Sequence, residues 1–239
     1  MKFVRAVFSV VVILFCLTIA VSAETNTGFE INLLPEEEGC NFLNNINLSL
    51  VTTEPEKREI ECFDVNDDGI VAVGFSDIND KTILVYSSTG DFLYGYAFSI
   101  YGSFGCEWDG NNLNIYFVRG GILISVDPSG IVLSVVEVPN STANVSYFNN
   151  VICATQGNVG ESEYYLTNDN QLFSIFSSYS QLIVVDKQGT KTIIYDATQA
   201  QLENTVRTII IIALIVLGTG VGIVSFYLRK RQNISRQNH

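Results

Sequence analysis

A short acidic segment carries the most specific chemical pattern in the sequence. Residues 64–69 read Asp-Val-Asn-Asp-Asp-Gly, which matches the first half of a calcium-binding loop because side-chain oxygens recur at alternate positions. The second half does not match, since the twelfth position holds Phe75 where such loops carry a glutamate. Asp64, Asn66 and Asp68 are therefore candidate calcium ligands, and the alternative is an acidic turn that binds no metal.

A second pattern places the only tryptophan, Trp108, between Glu107 and Asp109. Alternate side chains of a β-strand share a face, so we expect both carboxylates on one side of the sheet and the indole on the other. A pair of carboxylates is the catalytic apparatus of most glycosidases, and a tryptophan beside it could bind a sugar ring. The alternative is that Trp108 is a core residue.

The charged residues exclude several classes of function. The single histidine is His239, so a Ser-His-Asp triad, a Cys-His pair and a His-Glu-x-x-His zinc site are not expected. All 25 acidic residues lie within residues 24–206, together with six of the 13 basic residues. This negative segment repels phosphate groups, so nucleic acid is not an expected partner. We expect a protein that binds a protein or glycan partner, with no cofactor apart from the calcium considered above.

Four cysteines lie between the two apolar ends of the chain, at Cys40, Cys62, Cys106 and Cys153. In an exported protein these residues can form disulfides, and four cysteines allow three pairings. The closeness of Cys40 and Cys62 in sequence favours that pair. The alternative is that some are buried free thiols, because cysteine also behaves as a small apolar side chain.

The N-terminal residues are typical of a secretory signal peptide. Lys2 and Arg5 precede an apolar stretch, and the segment ends in the small residues Ser22 and Ala23. We therefore expect residues 1–23 to direct export of the chain.

A second apolar run, at residues 208–228, contains no charged residue. As a helix it would be about 31 Å long, which matches the hydrocarbon core of a bilayer. We predict a transmembrane helix, preceded by a juxtamembrane linker at residues 199–207 and followed by a basic cytoplasmic tail at residues 229–239. Gly218 and Gly222 are spaced for close packing of two such helices, so a homodimer is one interpretation and a tolerated patch of small residues is the other.

Three segments between these ends share one pattern of strand, polar turn with glycine, and strand. They are ILVYSSTGDFLYGY at 83–96, LISVDPSGIVLSVV at 123–136 and LIVVDKQGTKTIIY at 182–195. The turns end at Gly90, Gly130 and Gly189, where glycine adopts a positive φ at little cost. The sequence therefore predicts an all-β domain made of repeated hairpins.

An apolar strand precedes each hairpin, at residues 69–75, 112–118 and 150–155. With its strand, Asp-x-x-Gly turn and outer strand, the unit resembles the blades of NHL-type β-propellers. The resemblance implies a propeller-like array of three to four small antiparallel sheets over residues 59–198, with residues 24–58 as a partial further blade. A β-sandwich is the alternative fold.

These patterns favour a plasma-membrane protein with one spanning helix and an external domain that binds, senses or acts as a scaffold. One alternative is a membrane-tethered carbohydrate-active enzyme that uses Glu107 and Asp109. Another is a partial propeller that a partner protein completes, because an open array leaves strand edges free to pair.

Overall fold

Antiparallel β-strands make up most of the computed structural model, which describes residues 25–77, 80–168 and 179–237. The predicted signal peptide lies outside the described residues. In chain order the elements are β1 (Asn32–Leu33), α1 (Glu36–Ile46), β2 (Ser49–Val51), β3 (Ile60–Val65), β4 (Val71–Asp77), β5 (Asp80–Tyr86), β6 (Phe92–Ser99), β7 (Phe104–Asp109), β8 (Asn112–Phe117), β9 (Ile122–Val126), β10 (Val132–Glu137), α2 (Thr142–Tyr147), a π-helical turn (Phe148–Ile152), β11 (Gln156–Val159), β12 (Ser162–Thr167), β13 (Gln181–Val185), β14 (Lys191–Asp196) and α3 (Thr198–Gln237).

The strands form three antiparallel sheets, each built on four strands that are consecutive in the chain. Sheet I has the order β2-β6-β5-β4-β3, sheet II has the order β1-β10-β9-β8-β7, and sheet III has the order β11-β12-β13-β14. Three small antiparallel sheets confirm that the domain is mostly β, although α1 and α2 depart from the all-β prediction. A β-sandwich of two sheets does not describe this arrangement.

The three predicted hairpins are present, and their turns have the same local chemistry. Gly90, Gly130 and Gly189 have φ values of 89°, 86° and 80°. In the second turn Asp127 Oδ1 accepts hydrogen bonds from two backbone N–H groups further along the turn, and Asp186 Oδ1 does the same in the third. In each turn the side-chain oxygen accepts from backbone N–H groups that have no strand partner there. Residues within the turn therefore determine its shape.

Sheet I lies between the other two sheets because both of its faces are apolar. Side chains that pack toward sheet II include Ala72, Ile83 and Val85, and those that pack toward sheet III include Val73, Leu84 and Tyr86. These residues alternate along β4 and β5, as the two-residue period of a strand requires. The domain therefore has two cores, one on each side of sheet I.

The N-terminal segment forms no sheet of its own, which corrects the prediction of a partial blade at residues 24–58. Strand β1 pairs with β10 at the edge of sheet II, and β2 pairs with β6 at the edge of sheet I. Helix α1 connects the two strands, and its first turn holds Glu36, Glu37 and Glu38, where negative charge favours the positive end of the helix dipole. The segment covers strand edges that would otherwise be free to pair with another chain.

The region before sheet III also differs from the sequence prediction. Residues 150–155 were expected to be a strand, but the π-helical turn ends at Ile152 and the first strand of sheet III begins at Gln156. The helical start is local, because Ser141 caps α2 by accepting a hydrogen bond from the Asn144 N–H at 3.1 Å. Val151 and Ile152, which suggested a strand, lie instead in the π-helical turn, and Ile152 packs on sheet II.

Helix α3 follows the last strand directly, so the predicted linker at residues 199–207 is helical. The Thr198 N–H donates to Asp196 Oδ1 at 2.9 Å, and Gln201 and Thr205 are buried against the domain. Among the described residues, α3 is the one helix long and apolar enough to cross a membrane, with its candidate span at Thr198–Thr219. Gly218 and Gly222 both lie on this helix.

Gly74 on β4 gives a test of the core between sheets I and II. A Cβ at this position would lie 2.5 Å from Cys62 Sγ and 2.8 Å from the Phe104 ring. Crowding of this kind costs about 1–3 kcal/mol, so Gly74→Ala should lower the Tm by about 3–10 °C in a thermal melt. Gly157→Ala is the matched control, since its nearest neighbour would be Val65 at an ordinary 3.7 Å. Equal melting temperatures for the two variants would contradict this packing.

Candidate functional site

The acidic segment at residues 64–69 forms a tight turn between β3 and β4. Asn66 Oδ1 accepts hydrogen bonds from the N–H groups of Asp68 and Ile70, at 3.1 and 2.9 Å. Gly69 follows with φ 76°, which a glycine adopts without steric cost. The amide oxygen of Asn66 therefore holds the turn together.

Asp64 connects this turn to sheet II. Its Oδ2 accepts the backbone N–H of Trp108 at 2.7 Å, and the Trp108 indole N–H donates to the Asp64 carbonyl at 3.3 Å. Burial raises the pKa of Asp64 to about 6, although the Trp108 N–H favours the ionised form, and the nearby Glu107 raises it further. The pair fixes β3 against β7.

Two of the three candidate calcium ligands are thus engaged within the protein. Asp64 accepts from Trp108 and Asn66 caps the turn, while Asp68 is exposed. Within the described ranges, no group of three His, Cys, Asp or Glu side chains is placed to hold a metal ion. A cleft of about 380 Å³ lies over the turn and is lined by Asp67, Asp68 and Asn111 among others. Calcium binding here stays a prediction that depends on the sequence pattern.

A row of polar side chains crosses the face of sheet II that points away from sheet I. Strand register places Glu107 opposite Asn114, Asn114 opposite Ser125, and Ser125 opposite Ser134. Glu107, Asn114 and Ser125 are all buried. A buried polar row of this kind needs hydrogen-bond partners from a covering segment.

The covering segment consists of residues 25–30, which we call the strap. Successive strap residues bond to members of the row: Thr25 to Ser134 through their hydroxyls, the Asn26 carbonyl to the Asn114 amide, and the Thr27 hydroxyl to Glu107. Phe29 follows and is buried against the rings of Tyr116 and Tyr147. The side chain of Asn144 on α2 pairs with both backbone groups of Glu30, at 2.8 and 2.9 Å.

The side chains of Glu107 and Asp109 form hydrogen bonds with the strap. They share one face of β7 and Trp108 packs on the other, as the sequence predicts. However, Glu107 accepts from the hydroxyls of Thr27 and Tyr147, and Asp109 accepts the Asn26 N–H at 3.0 Å. Carboxylates that hold a strap in place do not flank an open substrate cleft, so the geometry gives the glycosidase interpretation no support.

A cavity of about 600 Å³ lies beside α2 and was not predicted from the sequence. Tyr116 and Phe148 supply apolar walls, while Arg119, Glu137 and Asn149 supply polar groups. A cavity of this size with a few polar groups suits a small ligand. Its residues come from four different elements and their connections, so no sequence motif could have indicated it.

The four cysteines occupy two kinds of site. Cys40 on α1 and Cys153 after the π-helical turn are exposed, whereas Cys62 and Cys106 are buried. The sulfurs of Cys62 and Cys106 are 3.7 Å apart. The neighbour of Cys62 is therefore Cys106, and not Cys40 as closeness in sequence had suggested.

No family model, curated protein or solved structure matches this chain. The resemblance to NHL-type propellers therefore depends on the hairpin pattern alone.

Replacing Asp64 by asparagine should reveal the raised pKa through stability. A carboxyl group with a folded pKa near 6 and an unfolded value of 3.8 destabilises the fold above about pH 6 and has no such effect below about pH 4. Asparagine keeps an acceptor for the Trp108 N–H. The Tm of Asp64→Asn relative to wild type should therefore rise as the pH of the melt increases from 4 to 7.

Asp67→Asn, in the same turn, is the matched control because it removes one exposed negative charge. If both variants show the same pH dependence, Asp64 is not desolvated as described.

The strap can be tested at Tyr147, whose hydroxyl donates to Glu107 Oε2 at 2.6 Å. Tyr147→Phe leaves a buried carboxylate with one donor fewer, so it should lower the free energy of unfolding by about 1–3 kcal/mol in urea. Tyr101→Phe removes an exposed hydroxyl and is the control. An unchanged unfolding midpoint for Tyr147→Phe would show that the contact does not stabilise the strap.

Proposed function

We propose that the chain is a single-pass membrane protein whose β domain is displayed outside the cell and works by binding a partner. The observation that carries the proposal is the exposed apolar surface of α3. Its large apolar side chains between Ile209 and Leu217 are 48–65% exposed, although they follow a well-packed domain. A bilayer is the environment in which such a helix surface is stable.

Charge supports the orientation. Residues 229–239 are basic and every acidic residue lies on the other side of the span. The positive-inside rule therefore favours a cytoplasmic C-terminus and an external domain. An acidic domain next to an anionic bilayer is repelled from the surface and attracts basic partners.

Contacts between the sheets support a propeller-like arrangement. The turn at Gly130 in sheet II lies against Leu50 on the edge strand of sheet I, and the turn at Gly90 in sheet I lies against Ile193 and Ile194 on the edge strand of sheet III. The hairpin turns of sheets II and I thus each contact the outer strand of a neighbouring sheet. Equivalent contacts of this kind are expected of successive blades around a common centre.

The cavity beside α2 supports a binding role. Arg119 and Glu137 offer opposite charges, the exposed side chains of Asn140 and Asn149 offer both donors and acceptors, and Tyr116 offers an aromatic wall. These groups suit a polar ligand with an apolar face, such as a sugar or a short peptide segment.

The alternative in which a partner completes the array has one observation in its favour. The turn at Gly189 in sheet III has no described atom within 4 Å of the position that a Cβ would take. The described sheets therefore end at sheet III without the contact that the other two hairpin turns make. A further sheet supplied by a partner would fit at this position.

Membrane insertion can be tested with a double substitution in α3. Leu214→Arg with Leu217→Arg places two charges in the span, each costing about 2.5–3.5 kcal/mol at the helix centre. We expect this variant to leave the membrane fraction under alkaline carbonate extraction, whereas wild type remains. Leu214→Ala with Leu217→Ala keeps the segment apolar and is the matched control.

The same cells test the orientation. A protease that cannot cross the membrane should digest the β domain of intact cells and spare an epitope tag placed after residue 239. Protection of the β domain, or carbonate extraction of the wild-type chain, would contradict the proposed function.

A further inference from the structure

Cys62 and Cys106 face each other across the boundary between sheets I and II. Cys62 lies on β3 and Cys106 on β7, and their sulfurs are 3.7 Å apart. Their side chains are almost completely buried, with 3% and 1% of their surface exposed. The two strands are in direct contact, because the Asp64–Trp108 hydrogen bonds hold them together only two residues further along each strand.

The surroundings leave space for a bond between the two sulfurs. Gly74 lies opposite Cys62 on the neighbouring strand, and its missing side chain leaves room for the Cys62 sulfur. A disulfide has an S–S length of about 2.05 Å, so the sulfurs need to approach by about 1.7 Å. The many backbone contacts between β3 and β7 keep the two strands close enough for this approach.

We propose that Cys62 and Cys106 form a disulfide that links sheet I to sheet II in the mature protein. The inference rests on the proposed function, because disulfides persist in oxidising compartments outside the cytosol. Both S–H bonds break and one S–S bond forms. The two electrons and two protons reduce the disulfide of an external thiol–disulfide oxidoreductase to two thiols.

Burial determines when the bond can form. The Cys106 thiol is hydrogen-bonded to Cys62 and buried, and both effects raise its pKa. The reactive thiolate is therefore scarce in the folded domain. An oxidoreductase also cannot reach a residue this deeply buried. The bond therefore forms before the core between the sheets closes, and afterwards it is protected from reductants.

The exposed cysteines define the competing pairing. Strand β3, which carries Cys62, contacts the π-helical turn that ends one residue before Cys153. A Cys62–Cys153 bond would join β3 to the segment before sheet III. Cys40 is exposed on α1, whereas Cys62 is buried.

Peptide mapping of the full-length, detergent-purified protein separates these cases. Trypsin places the four cysteines on different peptides, since cleavage follows the basic residues at 57, 58, 81, 119 and 187. Free thiols are first alkylated in denaturant without reductant. We expect a cross-linked species of residues 59–81 with residues 82–119, and full alkylation of Cys40 and Cys153.

Protection of the bond gives a second measurement. A phosphine reductant should leave the native protein unchanged and reduce it after denaturation. Cys40→Ser with Cys153→Ser should keep the cross-linked species and the Tm. Cys62→Ala with Cys106→Ala should lose both the species and about 5–10 °C of Tm. Mapping of the wild-type chain decides the question if this last variant does not fold.

Two results would overturn the inference: alkylation of both buried cysteines in a protein whose domain is outside the cell, or a cross-link to residues 120–187. A domain found inside the cell would instead overturn the proposed function. Refolding the full-length chain with glutathione disulfide then decides the cross-link separately. Formation of the 59–81 to 82–119 species supports it, and its absence overturns it.

Discussion

Sheet I has two apolar faces, and the rest of the domain depends on covering both. Strand β4 is buried along its length from Val71 to Phe75, and β5 from Ile83 to Tyr86, so neither face can be in contact with water. Continuous burial of this kind requires a layer on each side of the sheet. Sheets II and III provide these layers, and each of them needs only one fully apolar face as a result. The stacking order therefore follows from the composition of two strands.

The face of sheet II that points away from sheet I carries a row of polar side chains, and the strap covers it. Its polar row would be expensive to bury without partners, because each unsatisfied group costs about 1–3 kcal/mol. The strap supplies partners for Ser134, Glu107 and the Asn114 Nδ2 group, whereas Asn114 Oδ1 has no partner among the described residues. Phe29 closes the end of the strap among aromatic rings. Gly28 lies where a side chain would overlap the Tyr147 ring, so the close approach of strap and helix requires a glycine. Residues that suggested catalysis thus hold two parts of the domain together.

The sequence predicts the features that neighbouring residues determine. It does not predict contacts that depend on how distant strands pair. The hairpins at Gly90, Gly130 and Gly189 are confirmed because a polar turn with glycine specifies its own geometry. Helix α2 was missed because six residues are too few to show a helical period. In α1 the less exposed residues Gly39, Phe42, Leu43 and Ile46 do recur at helical spacing, but a glycine and three asparagines lower its helix propensity. The Glu107 to Ser134 row could not be found, because its members are brought together by strand pairing across 28 positions of sequence. The same is true of the Cys62–Cys106 contact.

The edges of the sheets limit how another chain can attach. Two short N-terminal strands cover the outer strands of sheets I and II, and the turn at Gly90 lies against the outer strand of sheet III. Lys191 on that strand adds a charge, which disfavours pairing with a further strand. Edge pairing is therefore opposed at β6, β10 and β14, the last of the four consecutive strands in each sheet. Under the proposed binding function, the negative charge of residues 24–206 would favour a partner that carries basic groups, which would be attracted over about one Debye length.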